Sequence, residues 1–206
     1  MNMLFGLKIG MTRVFDEVGN MVPVTVIKAE PQFVIGAKTK DKDGYDALRV
    51  GFRNVRKKLV NKPDAGQFKG AGIDPCRYIR EIKVESGDEY KIGDKIEVDL
   101  FKAGEKVHVT GISKGLGFQG TVRRHGFKGG PKSHGQSDRL RAPGSIGQSS
   151  YPSRVWKGMK MSGHMGNEQV TVKNLLINSV EPEHNLILVR GAVPGKPGGL
   201  LKIIKA

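Results

Sequence analysis

Residues 106–127 read KVHVTGISKGLGFQGTVRRHGF, and the chain changes character partway along them. Lys106–Ile112 alternates, with Val107, Val109 and Gly111 on one face, as a half-buried β-strand does. Beyond Ile112 the alternation stops, and glycine with Lys and Arg dominates as far as Asn167. Strand-like sequence resumes at 169–180, QVTVKNLLINSV. A strand on each side makes the intervening segment an insertion into a β-protein rather than a tail, and the fold follows from that reading.

The same period-two pattern recurs outward in both directions. Met21–Ala29, MVPVTVIKA, puts Val22, Val24 and Val26 on one face. Arg77–Val84 alternates as RYIREIKV and Lys95–Leu100 as KIEVDL. Asn185–Val193 is a leucine- and valine-rich run, joined to 169–180 by EPEHN as a hairpin connection, and Leu200–Lys205, LLKIIK, reads as a last strand. Gly93-Asp94-Lys95 and KDKDG at 40–44 are turns, and Asn61–Gly72 reads as a Gly-, Pro- and Lys-rich surface loop. No long amphipathic helix is visible. The expectation is a mainly β fold, and a barrel rather than an open sheet, because closure removes exposed strand edges.

The insertion is taken as 111–167, between a globular body formed by 1–110 and 168–206. It holds ten cations, thirteen glycines and three prolines against one acid, Asp138. The whole chain of 206 residues has a net charge of +15, so most of the excess lies in this segment. Without aliphatic runs it cannot pack on itself, and its charges repel one another unless a polyanion lies between them. Arg forks and Lys ammonium groups bind phosphate, while Phe118, Phe127, Tyr151 and Trp156 offer flat faces to unpaired bases. Charge interleaved with aromatics points to RNA, with affinity falling steeply in salt. The arm is expected to be mobile until RNA orders it. A generic solvated linker would be simpler than a segment holding Pro143, Pro152, Trp156 and the Met159–Met165 cluster.

Three enzyme-like patterns sit in surroundings that do not support them. GLGFQG at 115–120 has the spacing of a dinucleotide fingerprint, with Asp138 at a suitable distance. Such a site needs a helix packed on the sheet and a second strand, whereas Gly126, Gly129, Gly130 and Pro131 forbid a long helix there and leave room only for a short one across 118–124. GISKG at 111–115 matches a nucleophile elbow, and Asp138 and His164 follow in the order of a hydrolase triad. An elbow requires a strand-to-helix turn in an α/β sheet, which an all-β pattern does not supply. Ser113 is read instead as a turn or phosphate-contacting hydroxyl, so no residue is assigned a catalytic role. His125, His134 and His164 lack the close spacing of a metal site. Neither a metal nor a cofactor is expected.

Cys76 is the one cysteine, which excludes an internal disulfide and any multi-cysteine zinc motif. The N-terminal sequence lacks the apolar run of a signal peptide, and no stretch approaches a membrane span. A cytoplasmic protein with no membrane partner and no small-molecule substrate is expected. A second basic stretch, Arg53–Lys62 (RNVRKKLVNK), reads equally as an RNA contact or as an edge strand guarded by lysines.

KIGMTRVF (8–15), GISKGLGFQGTVRRHGF (111–127), RAPGSIG (141–147), MKMSGHMGNEQVTV (159–172) and NLILVRGAVPG (185–195) resemble the bacterial large-subunit ribosomal protein L-three family. The resemblance runs end to end. It implies a six-stranded, translation-protein-like β-barrel on the subunit surface, carrying a long extension inserted between strands. That extension enters 23S ribosomal RNA toward the peptidyl transferase centre. The resemblance also implies early binding in subunit assembly and neighbouring large-subunit proteins as further partners.

Carried over by position, Lys114, Arg123, Arg124, His125, Lys128 and His134 would contact RNA at the base of the extension. Arg141 to Tyr151 would form its tip, with Gly144, Gly147 and Gln148 allowing tight turns. Trp156, Lys157, Lys160, Met161, His164 and Met165 would line the return, and Lys132, Arg139 and Arg154 complete the expected RNA-binding set. The sequence departs from the family pattern at His108, where Asp or Asn is usual, and at Leu116, where a basic residue is usual. Some relatives carry a methylated glutamine at the position of Ser150, a modification that serine cannot take over. The competing readings are a general nucleic-acid or anionic-surface binding module and a serine esterase.

Overall fold

The computed structural model describes residues 2–83 and 90–206. In chain order the elements are β1 (Met3–Phe15), β2 (Met21–Lys28), β3 (Gln32–Lys38), α1 (Lys40–Asp43), β4 (Ala47–Asn54), α2 (Lys62–Ala71), β5 (Cys76–Lys83) and β6 (Lys95–Ile96). They continue with β7 (Lys106–Ile112), β8 (Gly117–Gln119), α3 (Thr121–His125), β9 (Gly163–Met165), β10 (Gln169–Glu181), β11 (Leu186–Arg190) and β12 (Leu200–Lys205). Two compact units result: Met1–Ile112 with Gln169–Ala206, and Ser113–Glu168.

The first unit contains a closed six-stranded antiparallel barrel in the order β1-β12-β7-β10-β11-β2. The thirteen-residue β1 closes it by changing partner along its length. Met3–Leu7 pair with β12 and Leu7–Phe15 pair with β2, with a bulge between Lys8 and Gly10. Gly111 is buried with Val107 and Val109, and a β-carbon on it would approach Leu201 Cδ2 to 2.7 Å. Val22 and Val24 do share a face, packing with Leu188 in a small cluster while Ile27 and Ile187 enter the main core. EPEHN is the expected hairpin connection: Pro182–His184 form a single 3-10 turn, Asn185 adopts φ 55°, and β11 returns antiparallel to β10.

A four-stranded sheet in the order β5-β4-β3-β6 shares that main core. Phe5 from β1 stacks on Phe52 from β4 at 5.6 Å between ring centres, and Phe52 stacks on Tyr78 at 5.3 Å. The strand expected over 77–84 is β5, and Val84 lies outside the described residues. In KIEVDL only Lys95–Ile96 pair as strand, and Val98–Leu100 form a 3-10 turn.

Two expectations are corrected here. Asn61–Gly72 is not a loop but the ten-residue helix α2, with Asn61 at its N-cap, a proline at the first positions and Gly72 closing it at φ 69°. Gly66 and Gly70 masked it, since each lowers helix propensity, while buried Phe68 packs with Ile35 and Cys76 to hold it. The edge-strand reading of Arg53–Lys62 also fails, because β4 ends at Asn54 and Lys57–Leu59 form a 3-10 turn.

His108, the departure on β7, sits opposite the irregularity in β10 between Val172 and Leu175. Its Nδ1 accepts the Asn174 N–H at 3.1 Å, and Asn174 itself has φ 57°. The imidazole thus caps a bulge amide that would otherwise lack a ladder partner.

A candidate nucleic-acid interface on the basic insertion

Ile112 pairs with Gln169, so the chain leaves and re-enters the barrel at one rung of the β7–β10 ladder. In the second unit, Ser113 N–H donates to the Glu168 carbonyl at 2.9 Å, and Glu168 N–H donates to Ser113 Oγ at 3.3 Å. A three-rung ladder follows, pairing Gly117 with Met165, Phe118 with His164 and Gln119 with Gly163. Such a short two-stranded ladder is marginal on its own, and one local side-chain bond and one further backbone bond add to it. Gln119 Nε2 donates to the Leu116 carbonyl at 2.5 Å, and Leu116 N–H donates to the Met165 carbonyl at 3.0 Å.

Helix α3 is short because Gly126, at φ 73°, ends it. Two of its basic side chains turn back onto the returning strand. Arg124 Nη1 donates to the Met161 carbonyl at 2.9 Å, and His125 Nε2 lies 3.0 Å from the same oxygen. A carbonyl only accepts, so that ring nitrogen carries the proton. The Arg124 guanidinium lies directly against Gly163, where a β-carbon would collide with it. Arg124 and His125 are therefore half-buried, while Arg123 reaches only toward Gln119 Oε1 at 3.5 Å.

The remaining expected residues are exposed. Lys114, Lys128, Lys132, His134, Arg139, Arg141, Gly144, Gln148, Tyr151, Arg154, Trp156, Lys157, Lys160 and His164 all face solvent. Arg154 lies over the Trp156 ring at 4.5 Å, a cation–π pair. Phe118 and Tyr151 are 75% and 79% exposed, leaving their ring faces open for stacking. Thr121 is the one buried residue of Ser113–Glu168. Among the described residues none of the insertion's ten Lys and Arg forms an ion pair; the ion pairs present belong to the other unit.

The enzyme-like patterns lose their meaning in this geometry. Ser113 Oγ is occupied by the Glu168 amide, and His164 Nε2 contacts the Gly166 carbonyl at 2.9 Å. GISKG runs from β7 into irregular chain, not into a helix, and GLGFQG spans the short strand β8 with Gly120 capping only the five-residue helix α3. Among the described residues no group of three or more His, Cys, Asp or Glu is placed to hold a metal ion, and no helix is long and apolar enough to cross a membrane.

Sequence reasoning missed two structural residues of the insertion, Gly163 and Gln119, and placed Met161 on the return without the role of its carbonyl. Met161 contributes its carbonyl, Gly163 the space beside Arg124, and Gln119 a local brace to the Leu116 carbonyl just before its own strand. A main-chain carbonyl carries no signal in a sequence, whereas the glycine was visible without its reason.

Fold and insertion together define a class: a small closed antiparallel barrel carrying a polybasic, almost coreless insertion between two neighbouring strands. A family profile described as Ribosomal protein L3 matches residues 82–183. The chain is 50% identical over 206 residues to the large ribosomal subunit protein uL3 of Herpetosiphon aurantiacus, covering all of this chain and 97% of that protein. It is 54% identical to uL3 of Thermotoga maritima over 207 residues, and 48% identical to uL3 of Acidothermus cellulolyticus over 200 residues. Those two matches cover 98% and 90% of the relatives' lengths, and 100% and 97% of this chain. The chain belongs to the ribosomal protein L3 family, the uL3 proteins of the large ribosomal subunit.

Proposed function

We propose that this chain is a structural, non-catalytic constituent of the large ribosomal subunit that binds 23S ribosomal RNA through residues 113–168. The reading rests on ten cations that form no ion pair among the described residues, gathered on a unit with a single buried side chain. Such a unit is held in one shape only weakly by its own packing, and a polyphosphate supplies both the missing counter-charge and the missing contacts. Arg141, Arg154, Lys157 and Lys160 act as phosphate ligands, and Tyr151 and Trp156 as stacking faces. Arg124 and His125 hold the base of the insertion and present their remaining donors to RNA.

In this proposal the barrel anchors on RNA and on neighbouring large-subunit proteins in the cytoplasm. Binding occurs early and nucleates assembly. The insertion neutralises phosphate where RNA helices converge and supports the peptidyl transferase centre, whose chemistry belongs to RNA.

Sedimentation tests the proposal. The protein co-migrates with large subunits through a sucrose gradient after a moderate salt wash, and recovery only at the top of the gradient refutes it. With about eight phosphates neutralised, log affinity for ribosomal RNA falls against log salt with a slope of about −6 to −7. Equal affinity for duplex DNA, acidic vesicles and ribosomal RNA at one ionic strength would favour a general anionic-surface module instead.

A further inference from the structure

Within the insertion, residues 127–144 fold into a loop closed on itself. Gly130 N–H donates to the Leu140 carbonyl at 2.9 Å, and Ala142 N–H to the Arg139 carbonyl at 3.3 Å. The closure depends on two adjacent glycines. A β-carbon on Gly129 would run into the Leu140 carbonyl oxygen, and one on Gly130 would lie 2.8 Å from Gln136 Nε2 and 2.9 Å from the Arg139 oxygen. The loop borders an open hollow of about 480 Å³ lined by Phe127, Lys128, Gln136, Arg139 and Pro143, among others. That volume lies within the range of small-ligand sites, roughly 300–1,000 Å³.

Its chemistry is unusual for a solvated turn. Phe127 is half-buried, with a ring centre 6.1 Å from that of His125. Gln136 is withdrawn from solvent relative to Pro131–Gly135 before it and Ser137–Tyr151 after it. Yet among the described residues the Gln136 amide makes no hydrogen bond, and neither Lys128 nor Arg139 forms an ion pair. One aromatic face, one amide offering a donor beside an acceptor, and two free cations therefore converge on one concavity.

We infer that this hollow receives a single unpaired nucleotide, its base against Phe127 with its polar edge read by Gln136 and its phosphate held by Lys128 and Arg139. The match is of chemical type. A base presents a π-face and an edge where donor and acceptor alternate, and it arrives with its own phosphate. Stacking supplies affinity without sequence preference, and the amide adds discrimination. The inference rests on the RNA-binding reading of the insertion and narrows it from a charged surface to a one-nucleotide pocket.

The test uses the full-length protein with large-subunit ribosomal RNA and base-specific chemical probing. Wild type is expected to protect one unpaired base at its Watson–Crick edge. Gln136→Ala restores reactivity at that nucleotide while total RNA affinity falls less than tenfold, and Phe127→Leu does the same with a larger loss. Identical protection patterns for wild type and both variants, with RNA still bound, overturn the pocket but leave RNA binding standing. Failure of wild type to bind RNA at all overturns the broader proposal. Titration with AMP, GMP, CMP and UMP, followed through the Gln136 side-chain amide, separates the sources of the ligand. Saturation by a free mononucleotide with no single-base protection in RNA assigns the hollow to a soluble nucleotide and refutes the inference.

Discussion

Replacing Gly166 by alanine probes how the insertion is held, because two independent penalties coincide there. Gly166 has φ 78°, a left-handed conformation that costs an L-residue about 1–2 kcal/mol. Its β-carbon would also run into the Lys114 carbonyl oxygen. Both sides of that collision are backbone, so a rotamer change gives no relief and the two chain segments must separate. The nearest casualty is the Leu116 N–H to Met165 carbonyl hydrogen bond at 3.0 Å, worth about 1 kcal/mol. The sum is about 2–3 kcal/mol, loaded onto a ladder of three rungs.

Hydrogen exchange measures the outcome. The amides of Leu116 and Ser113 in Gly166→Ala exchange about 30- to 150-fold faster than in wild type, since 1.4 kcal/mol is a factor of ten. The urea midpoint of the barrel stays unchanged, because the unit containing Gly166 buries only Thr121. Gly115→Ala is the control: its β-carbon would meet Asn167 Cβ at an ordinary 3.5 Å. Wild-type protection of Leu116 in Gly166→Ala, or a fall in barrel midpoint matching the exchange change, refutes the reasoning.

The barrel carries further tests. Lys8 is only 8% exposed, and its ammonium donates to the Val193 and Gly195 carbonyls at 2.8 and 3.2 Å, so Lys8→Met is expected to lower urea stability by about 2–4 kcal/mol. Cys76 is buried, and desolvation together with the Asp74 carboxylate pushes its thiol up to about 11 from 9.0. At neutral pH its exchange with a chromogenic disulfide, which releases the coloured reagent thiolate, should run at least about a hundredfold slower in the native chain than in the unfolded one, as stopped-flow would read. Glu105 is held below the usual carboxylate range, first by the Lys102 N–H and also by Lys205, whose Nζ lies 3.2 Å away. The folded state then binds fewer protons than the unfolded one, so this stabilisation is present above the ordinary glutamate value of about 4.3 and disappears as pH falls through the lowered one. Glu105→Gln should flatten the fall of urea midpoint across that acid range, and a curve parallel to wild type would contradict the assignment.

Much of the barrel was legible because alternation is a local property. Val107, Val109 and Gly111 declare a face whatever they pair with, and Pro182 to Asn185 declare a turn by their own backbone preferences. Helix α2 was not legible as a helix, since Gly66 and Gly70 argue against it and its support is Phe68 packing on residues distant in sequence. Strands β8 and β9 escaped because three residues are too few to show a period.

By itself, the sequence determined the charge of the insertion, its poverty in core-forming residues, and its position between strand-like segments. Those are sums and short-range patterns, which survive whatever the chain does at long range. Tertiary structure alone decided that β1 divides its length between β12 and β2 to close the barrel, and that Arg124 and His125 meet the Met161 carbonyl. It also decided that Phe127, Gln136 and Arg139 line one open hollow. Each of these joins groups separated along the chain, and such contacts depend on the closure of intervening loops and on which backbone groups remain unpaired, neither of which a local pattern records.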